Sequence, residues 1–291
     1  MSVAIPISLP PIEALPPIPR GLDIVHLSPT IGTEVHGIDL TEPLDEELQQ
    51  FLQDLLLARK VIFFRDQDIT AAQHVAFARG WGELEITPFN VEYHPDFKEI
   101  FILRNDGTTQ KTNLWHSDGC WRPEPELGSI LRARLVPDVG GDTLFADMYA
   151  AYEDLPEWLK RAVDGMEAVF SARGLLGLDE SVERLTQAEI KHPPQRHPVV
   201  RTHPITGRKI IYVNPSYTSH IYGIGFQDSQ FLLSRLYKQC ERPEFQCRFK
   251  WRPNSIAFWD NRACQHYAST DYVGTIERVM ERVTIKGDKP R

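Results

Sequence analysis

The sequence predicts a mainly β domain with helices packed on its outside, in the manner of a β-sandwich or barrel. From residue 100 onward, apolar residues occur in short runs typical of strands, and turns containing Gly or Pro separate most of these runs. Helical patterns are confined to the first part of the chain and to one later segment. No internal repeat is visible, so repeat architectures are not expected.

The chain begins with a proline-rich arm and continues with two helices and a strand. Residues 1–20 carry prolines at positions 6, 10, 11, 16, 17 and 19, so they cannot hold a helix or a central strand. They are predicted to form an unstructured arm or one that packs on a neighbouring subunit. Residues 44–60 place leucines on one face of an amphipathic helix, and residues 60–64 predict a buried strand. Thr70 and Gln73 form a capping box that predicts a second helix.

The rest of the chain is predicted to be rich in strands. They are expected at residues 100–103, 129–136, 166–171, 198–202, 209–213, 255–259 and 278–285. Residues 228–240 predict the only solid helix of this part. The stretch from about 172 to 197 is interpreted as a long insertion.

Composition limits the partners and the location that are expected. The net charge of -8 argues against a nucleic-acid partner, although a local arginine cluster can still attract a small anion. The four cysteines show no CxxC spacing, so neither a disulfide framework nor a cysteine zinc site is expected. With no apolar run long enough for a membrane span and no signal-peptide pattern, a cytoplasmic location without a membrane partner is predicted.

Two histidines and an aspartate indicate a metal site. In the segment His116-Ser117-Asp118, side chains two residues apart point to the same face of an extended chain, so His116 and Asp118 can bind one ion together. His266 follows the apolar run 256–259 and a polar turn. Two imidazoles and one carboxylate leave coordination positions open for a bidentate co-substrate and O2, which suits non-haem Fe(II).

Arg278 and Arg282 form the third chemical signal. Four residues apart on a strand, they face the same side, and a guanidinium is a fixed fork for a carboxylate. The alternative is an exposed edge strand on which the arginines alternate with Glu277 and Glu281, and the residues alone leave this alternative open.

Together these motifs resemble the taurine/2,4-D dioxygenase (TauD/TfdA) family of Fe(II)/2-oxoglutarate enzymes. The resemblance covers about residues 22 to 290 and includes WHSD at 115–118, GGDT at 140–143, HPVVRTHPITGRK at 197–209, YVN at 212–214, WDNRACQHYA at 259–268 and ERVMERVTIKGD at 277–288. It implies a double-stranded β-helix, or jelly roll, of the clavaminate synthase-like type with flanking helices. Residues 21–291 are then expected to form one dioxygenase domain.

The resemblance also implies the roles of individual residues. His116, Asp118 and His266 are expected to be the Fe(II) ligands and the catalytic centre, and Thr143 and Arg278 to hold the distal carboxylate of 2-oxoglutarate. Arg282 is expected to meet the acidic group of the substrate. The implied reaction uses O2, hydroxylates a small organic anion and yields succinate and CO2.

Two departures from the taurine enzyme bear on the substrate. Thr87 and Thr112 stand where that enzyme has a His and an Asn that contact substrate, so taurine itself is disfavoured. Trp121 and Tyr217 stand where aromatic walls are expected, which predicts a more apolar pocket. Sulfonates, sulfate esters, phenoxyalkanoates and acylated amino acids remain candidate substrates.

Two other functions remain open from the sequence. A metal-dependent hydrolase needs only three protein ligands, but it leaves Thr143 and Arg278 without a role. A non-catalytic jelly roll that binds a metal and an anion is the other alternative. The sequence also leaves open a homo-oligomer, either dimer or tetramer. Three histidines among prolines, His192, His197 and His203, are expected to serve loop packing.

Overall fold

A large mixed sheet and a small antiparallel sheet face each other, and helices cover the outer side of the large sheet. The computed structural model describes residues 15–86, 92–105, 113–175, 181–272 and 277–291. Within these ranges the strands are β1 (Asp23–His26), β2 (Thr33–His36), β3 (Val61–Phe64), β4 (Leu84–Glu85), β5 (Glu92–Tyr93), β6 (Ile100–Asn105), β7 (Gly128–Leu135), β8 (Thr143–Asp147), β9 (Glu167–Phe170), β10 (Gln195–Pro198), β11 (Val200–Thr202), β12 (Lys209–Ile211), β13 (Thr218–Ile221), β14 (Gln246–Phe249), β15 (Ile256–Asp260), β16 (Cys264–Ala268) and β17 (Arg278–Ile285). The α-helices are α1 (Glu46–Arg59), α2 (Ala71–Arg79), α3 (Met148–Glu153), α4 (Glu157–Val163), α5 (Val182–Lys191) and α6 (Phe226–Cys240).

The two facing sheets form the predicted jelly roll. The large sheet has the order β1-β2-β3-β15-β7-β17-β6-β5, with β4 pairing with β17, and only the β2–β3 pair is parallel among the described strands. The small sheet has the order β14-β8-β16. Their facing sides form an aromatic core in which the rings of Phe63 and Phe249 stack 4.0 Å apart. Two further small sheets, β10-β9-β13 and β11-β12, are formed by the part of the chain between β8 and β14.

Strand β3 is apolar throughout because both of its faces pack against other parts of the protein. Phe63 faces the small sheet, whereas Ile62 and Phe64 pack against the cluster that includes α1 and α2. All four residues of β3 are buried because both faces of the large sheet are covered. The run 60–64 therefore lacks the polar alternation of a half-exposed strand.

Several predicted elements are confirmed close to their expected bounds. Asp45 accepts a hydrogen bond from the backbone of Leu48 and starts α1, and Lys60 ends it in the left-handed region with φ 64°. Thr70 and Gln73 form the predicted capping box of α2. Strand β17 spans the predicted residues 278–285.

The prediction of a single helix after residue 100 is wrong, because α3, α4 and α5 precede α6. Helices α3 and α4 have six and seven residues, too short to show a clear helical period. Helix α5 has no buried residue, so it does not pack as a core helix. It lies in the stretch interpreted as an insertion, of which residues 176–180 are outside the described part.

Of the proline-rich arm, residues 1–14 lie outside the described residues, and Leu15 packs against the cluster beneath α1 and α2. Among the helices that the structure describes, none combines the length and the apolar character that crossing a membrane requires.

Candidate active site

Two distant segments bring His116 and His266 side by side. Their backbones form an antiparallel bridge, in which the N–H of His116 donates to the carbonyl of His266 at 3.1 Å and the N–H of His266 donates back at 2.8 Å. Directly opposite residues place their side chains on the same face, and the two imidazole rings lie 4.2 Å apart. Strand β16 pairs in turn with β8, which sets His266 opposite Phe145.

Asp118 completes a buried triad with these imidazoles. Its Oδ1 lies 3.7 Å from Nε2 of His116, and its Oδ2 lies 3.6 Å from Nε2 of His266. Oδ2 has no hydrogen-bond partner among the described residues. Nδ1 of His116 lies 2.7 Å from the carbonyl of Leu114, a contact that leaves Nε2 available as a metal ligand. The ligand atoms all lie within 4.8 Å of one another, so the triad could hold a metal ion.

Asn261 holds the segment that carries Asp118 in place. Its side-chain oxygen accepts a hydrogen bond from the backbone N–H of Asp118, and its Nδ2 donates to the carbonyl of the same residue, both at 2.7 Å. Nδ2 of Asn261 also lies 3.3 Å from the carbonyl of Glu126. Asn261 belongs to the motif WDNRACQHYA, but its role depends on contacts with a distant segment that the sequence does not reveal.

The electrostatics of the triad favour metal binding at neutral pH. Burial by itself raises the pKa of the Asp118 carboxyl, but the Arg282 guanidinium and the two imidazoles outweigh it and bring that pKa to about 2. Burial, with help from His116, lowers the pKa of His266 to about 3. A carboxylate and a neutral imidazole are the forms that bind a metal ion.

Thr143 and Arg278 lie together on the cavity wall beside Trp251. Thr143 lies two residues before Phe145 on β8 and opposite Ala268, so it shares the face that carries His266. Its hydroxyl accepts a hydrogen bond from Nε1 of Trp251 at 2.9 Å and still has its proton to donate. The Arg278 guanidinium lies 6.0 Å from the centre of the Trp251 ring.

Arg278 is a buried cation without a counter-ion in the described chain. Its Nε is buried and lacks a hydrogen-bond partner, and no described carboxylate forms an ion pair with it. Burial lowers its pKa, yet a guanidinium remains charged in proteins. This wall of the cavity therefore suits a carboxylate brought by a ligand.

Arg282 also lies in the cavity, but protein oxygens already surround its guanidinium. Its Nε donates to Ser129 Oγ at 2.9 Å, its Nη1 donates to Asp118 Oδ1 at 3.0 Å, and its Nη2 donates to Glu126 Oε2. Arg282 therefore lines the cavity and pairs with a buried carboxyl group, that of Glu126, which the sequence did not indicate.

The triad and both arginines line one cavity of about 750 Å³. Aromatic side chains form much of its wall, namely Phe101, Trp121, Phe145, Tyr217 and Trp259. Trp121 and Tyr217 are thus among the residues that line the cavity. Thr87 and Thr112 lie outside the described residues.

Helix α5 supplies a cavity wall that the sequence analysis did not foresee. Its contributors recur at helical spacing and end at the residue that follows it: Arg184, Gln187, Ala188, Lys191 and His192. The assignment of His192 to loop packing is therefore corrected, because its ring packs 4.8 Å from that of Trp121 on the cavity wall. The helical spacing of residues 184, 188 and 191 was the available signal.

The other two histidines do serve packing, as predicted. Nε2 of His197 lies 2.8 Å from the carbonyl of Arg122. Nε2 of His203 lies 3.0 Å from a carboxylate oxygen of Asp260, which also binds Arg262. Neither histidine lines the cavity in the described part of the chain.

Comparisons with known proteins agree with this geometry. Residues 23–284 match the model of the taurine catabolism dioxygenase TauD, TfdA family. The chain is 35% identical to the alkylsulfatase of Acinetobacter baylyi, over 92% of this chain and 86% of that protein. It is 34% identical to the alpha-ketoglutarate-dependent sulfate ester dioxygenase of Pseudomonas putida, over 92% and 91%. The crystal structure of AAD-2 in complex with Mn(II) and N-oxalylglycine superposes with a TM-score of 0.77 at 30% identity, over 92% of this chain and 98% of that one.

Proposed function

The chain belongs to the TauD/TfdA dioxygenase family, and from this premise we propose that its cavity hydroxylates a small organic anion with an apolar body. As a family member it is a 2-oxoglutarate-dependent dioxygenase that uses iron and O2. Succinate and CO2 are the co-products of this chemistry. The observation that carries the proposal is the Asp118 carboxylate beside two imidazoles, whose Oδ2 has no hydrogen-bond partner in the described part of the chain.

In this proposal His116, Asp118 and His266 hold the iron. A carboxylate oxygen without a hydrogen bond in a buried site is costly unless a cation binds it, so the triad fits a metal ion. Two imidazoles and one carboxylate are a donor set suited to Fe(II) with open positions. When bound, iron supplies the activation of O2 that couples decarboxylation of 2-oxoglutarate to hydroxylation of a C–H bond.

Arg278 and Thr143 are proposed to hold the distal carboxylate of 2-oxoglutarate. The guanidinium has no counter-ion in the described chain, and the Thr143 hydroxyl has a proton free to donate. The register of β8 and β16 places Thr143 on the face of His266, so a dicarboxylate can reach the triad from this wall. The chain thereby orients the co-substrate for reaction.

The apolar body of the substrate is proposed to lie against Trp121, Phe101 and Tyr217. Exposed cations of α5, Arg184 and Lys191, give the outer wall a positive character despite the net charge of -8. Sulfate esters are the first candidates because the two relatives above carry alkylsulfatase and sulfate ester dioxygenase names. Sulfonates and phenoxyalkanoates follow, and taurine remains disfavoured.

The alternative functions leave observations without an explanation. A metal-dependent hydrolase gives no ligand to the buried guanidinium of Arg278, which forms no ion pair with any described carboxylate. A non-catalytic module gives no reason for an open coordination set beside a cavity of about 750 Å³.

Two experiments test the proposed function. Anaerobic Fe(II)-loaded protein should show a change in visible absorbance when 2-oxoglutarate is added, and a panel of sulfate esters, sulfonates and phenoxyalkanoates should stimulate succinate release. Asp118→Ala should abolish both signals, whereas Asp154→Asn, which removes a carboxylate paired with Arg242, should preserve them. Absence of both signals in the wild-type protein would reject the proposal.

Assembly and location remain predictions of the sequence. We expect a homo-oligomer, dimer or tetramer, with neither nucleic acid nor membrane as partner. A cytoplasmic location is proposed because all four cysteines are free thiols, which agrees with a reducing compartment.

A further inference from the structure

Glu126 is a buried carboxyl group inside the cavity that neither the metal site nor the proposed 2-oxoglutarate site uses. It precedes β7, is 6% exposed and contributes to the cavity wall. Its Oε2 accepts a hydrogen bond from Arg282 and one from Ser129 Oγ at 3.4 Å. A charged side chain is rarely buried to this degree without a specific partner, and here that partner is Arg282.

The position of Glu126 is set by its surroundings. Its carbonyl accepts from Asn261, the same amide that holds Asp118. Gly119 lies so close that a Cβ at that position would come within 3.1 Å of the Glu126 side chain, and its φ of 64° favours glycine. The carboxyl group is therefore held against Arg282 by contacts on several sides.

The guanidinium of Arg282 correspondingly uses three of its five N–H groups in hydrogen bonds to the protein. Each of its three nitrogens already donates to a protein oxygen, from Ser129, Asp118 or Glu126. The group is also packed 5.4 Å from the centre of the Phe101 ring and 5.9 Å from that of Trp259. If Asp118 binds a metal ion, the charge of Glu126 still balances Arg282.

We propose that Glu126 is a specificity-determining residue that serves as the built-in counter-ion of Arg282 and keeps the acidic group of a substrate away from this arginine. This inference rests on the proposed function and deepens it. The acidic group of the substrate then lies elsewhere in the cavity, whose outer wall carries Lys191. A free Arg282 would instead attract a short anion directly to the metal centre.

The test compares anion binding by the wild-type protein and the isosteric variant Glu126→Gln. Protein loaded with Mn(II) and N-oxalylglycine is titrated in a calorimeter with methyl sulfate and with dimethyl sulfone, a neutral molecule of similar shape. Burial raises the pKa of Glu126 to about 7 against the pull of Arg282, so the titrations are done about one unit above that value. Glu126→Gln should bind methyl sulfate about tenfold more tightly than the wild type, with dimethyl sulfone unchanged.

Two further variants test whether a gain in methyl sulfate affinity comes from removing the negative charge beside Arg282. Glu281→Gln removes a partly buried carboxylate that pairs with Arg132 and Arg134 outside the cavity wall, and should change methyl sulfate affinity by less than about threefold. Glu126→Asp keeps the charge and should also show no gain. An unchanged affinity in Glu126→Gln, or an equal gain in Glu281→Gln or Glu126→Asp, would overturn the proposal.

The result of the methyl sulfate titrations can be distinguished from a failure of the proposed function. If the Fe(II)-loaded wild type releases no succinate with any substrate, the proposed function fails. Methyl sulfate affinity in the calorimeter reports on Arg282 without any turnover. A tighter Glu126→Gln complex therefore supports the role of Glu126 even in that case.

Discussion

Arg278 and Arg282 lie four residues apart on β17, yet their surroundings differ sharply. Arg278 is buried without a counter-ion in the described chain, whereas Arg282 donates to Asp118, Glu126 and Ser129. Because a buried guanidinium needs an anionic partner, the first is suited to a carboxylate from a ligand and the second is satisfied by the protein. The two arginines should respond differently to substitution.

Arg278→Gln should weaken 2-oxoglutarate binding while leaving the metal site intact. Loss of a charge-assisted, bidentate contact is worth about 1.5–3 kcal/mol, or roughly a 10- to 100-fold higher Kd. Calorimetry with 2-oxoglutarate on Mn(II)-loaded protein measures this. Arg134→Gln, which removes a half-exposed arginine of the neighbouring β7, is the control. Equal affinities for all three proteins would show that Arg278 does not hold the co-substrate.

Arg282→Lys should weaken metal binding. The lysine keeps the charge but cannot donate at once to Asp118, Glu126 and Ser129, so the Asp118 carboxylate loses its fixed orientation. Loss of such an outer contact costs roughly tenfold in metal affinity or more. Competition of Mn(II) with a chelator measures the change. Wild-type Mn(II) affinity in this variant would mean that Arg282 does not orient Asp118.

At the scale of elements, the site is divided among strands and one helix. β16 carries His266 and β17 carries the two arginines, whereas His116 and Asp118 lie in the segment between β6 and β7. Residues of α5 also line the cavity. Both arginines of β17 face the cavity, while Glu281 pairs with Arg132 and Arg134 on the other face. The exposed-edge alternative for this strand is therefore wrong.

Ala188→Phe should narrow the cavity from the side of α5. Ala188 is a partly buried wall residue, so a phenyl ring there should raise the KM of a bulky substrate about tenfold by steric exclusion. The Kd of 2-oxoglutarate should not change, because Arg278 and Thr143 belong to the strands. Thr186→Phe, at an exposed position of the same helix outside the cavity wall, controls for the added ring. A fall in 2-oxoglutarate affinity in Ala188→Phe would show that α5 reaches the co-substrate.

At the scale of the whole molecule, double coverage of the large sheet buries ionisable groups away from the active site. His74 of α2 is fully buried, with Nε2 3.3 Å from the carbonyl of Ile130. Burial lowers its pKa from 6.5 to about 3. The folded state therefore keeps this imidazole neutral where the unfolded chain protonates it.

Stability should consequently fall as the pH decreases. Between pH 6.5 and about 3 the unfolded state binds a proton at His74 that the folded state does not, so each pH unit lost there costs about 1.4 kcal/mol of unfolding free energy. Urea denaturation of the wild type and of His74→Gln, at neutral pH and near pH 5, measures this. The variant should lose about 2 kcal/mol less over that interval. An equal loss of unfolding free energy in both proteins would show that His74 does not cause the fall in stability at low pH.

The β-rich part could be predicted from local pattern, because strands buried on both faces leave continuous apolar runs such as 61–64 and 256–259. Helices α3 and α4 could not, since six or seven residues hold too few turns for a periodicity to be read. Helix α5 was missed although its sequence has a helical spacing, because it lies in the stretch interpreted as an insertion. It lines the cavity and contributes no buried residue to the core.

The sequence by itself determined which side chains the active site has available. These are the HxD pair, the later histidine and two arginines at strand spacing, and each is a local pattern with a definite chemical meaning. Only the tertiary structure decided how that set is used. The bridge between residues 116 and 266, the amide of Asn261 beneath Asp118 and the carboxyl of Glu126 against Arg282 join segments far apart in the chain. Such contacts depend on strand register and packing, and no local pattern records which buried charge will meet which partner.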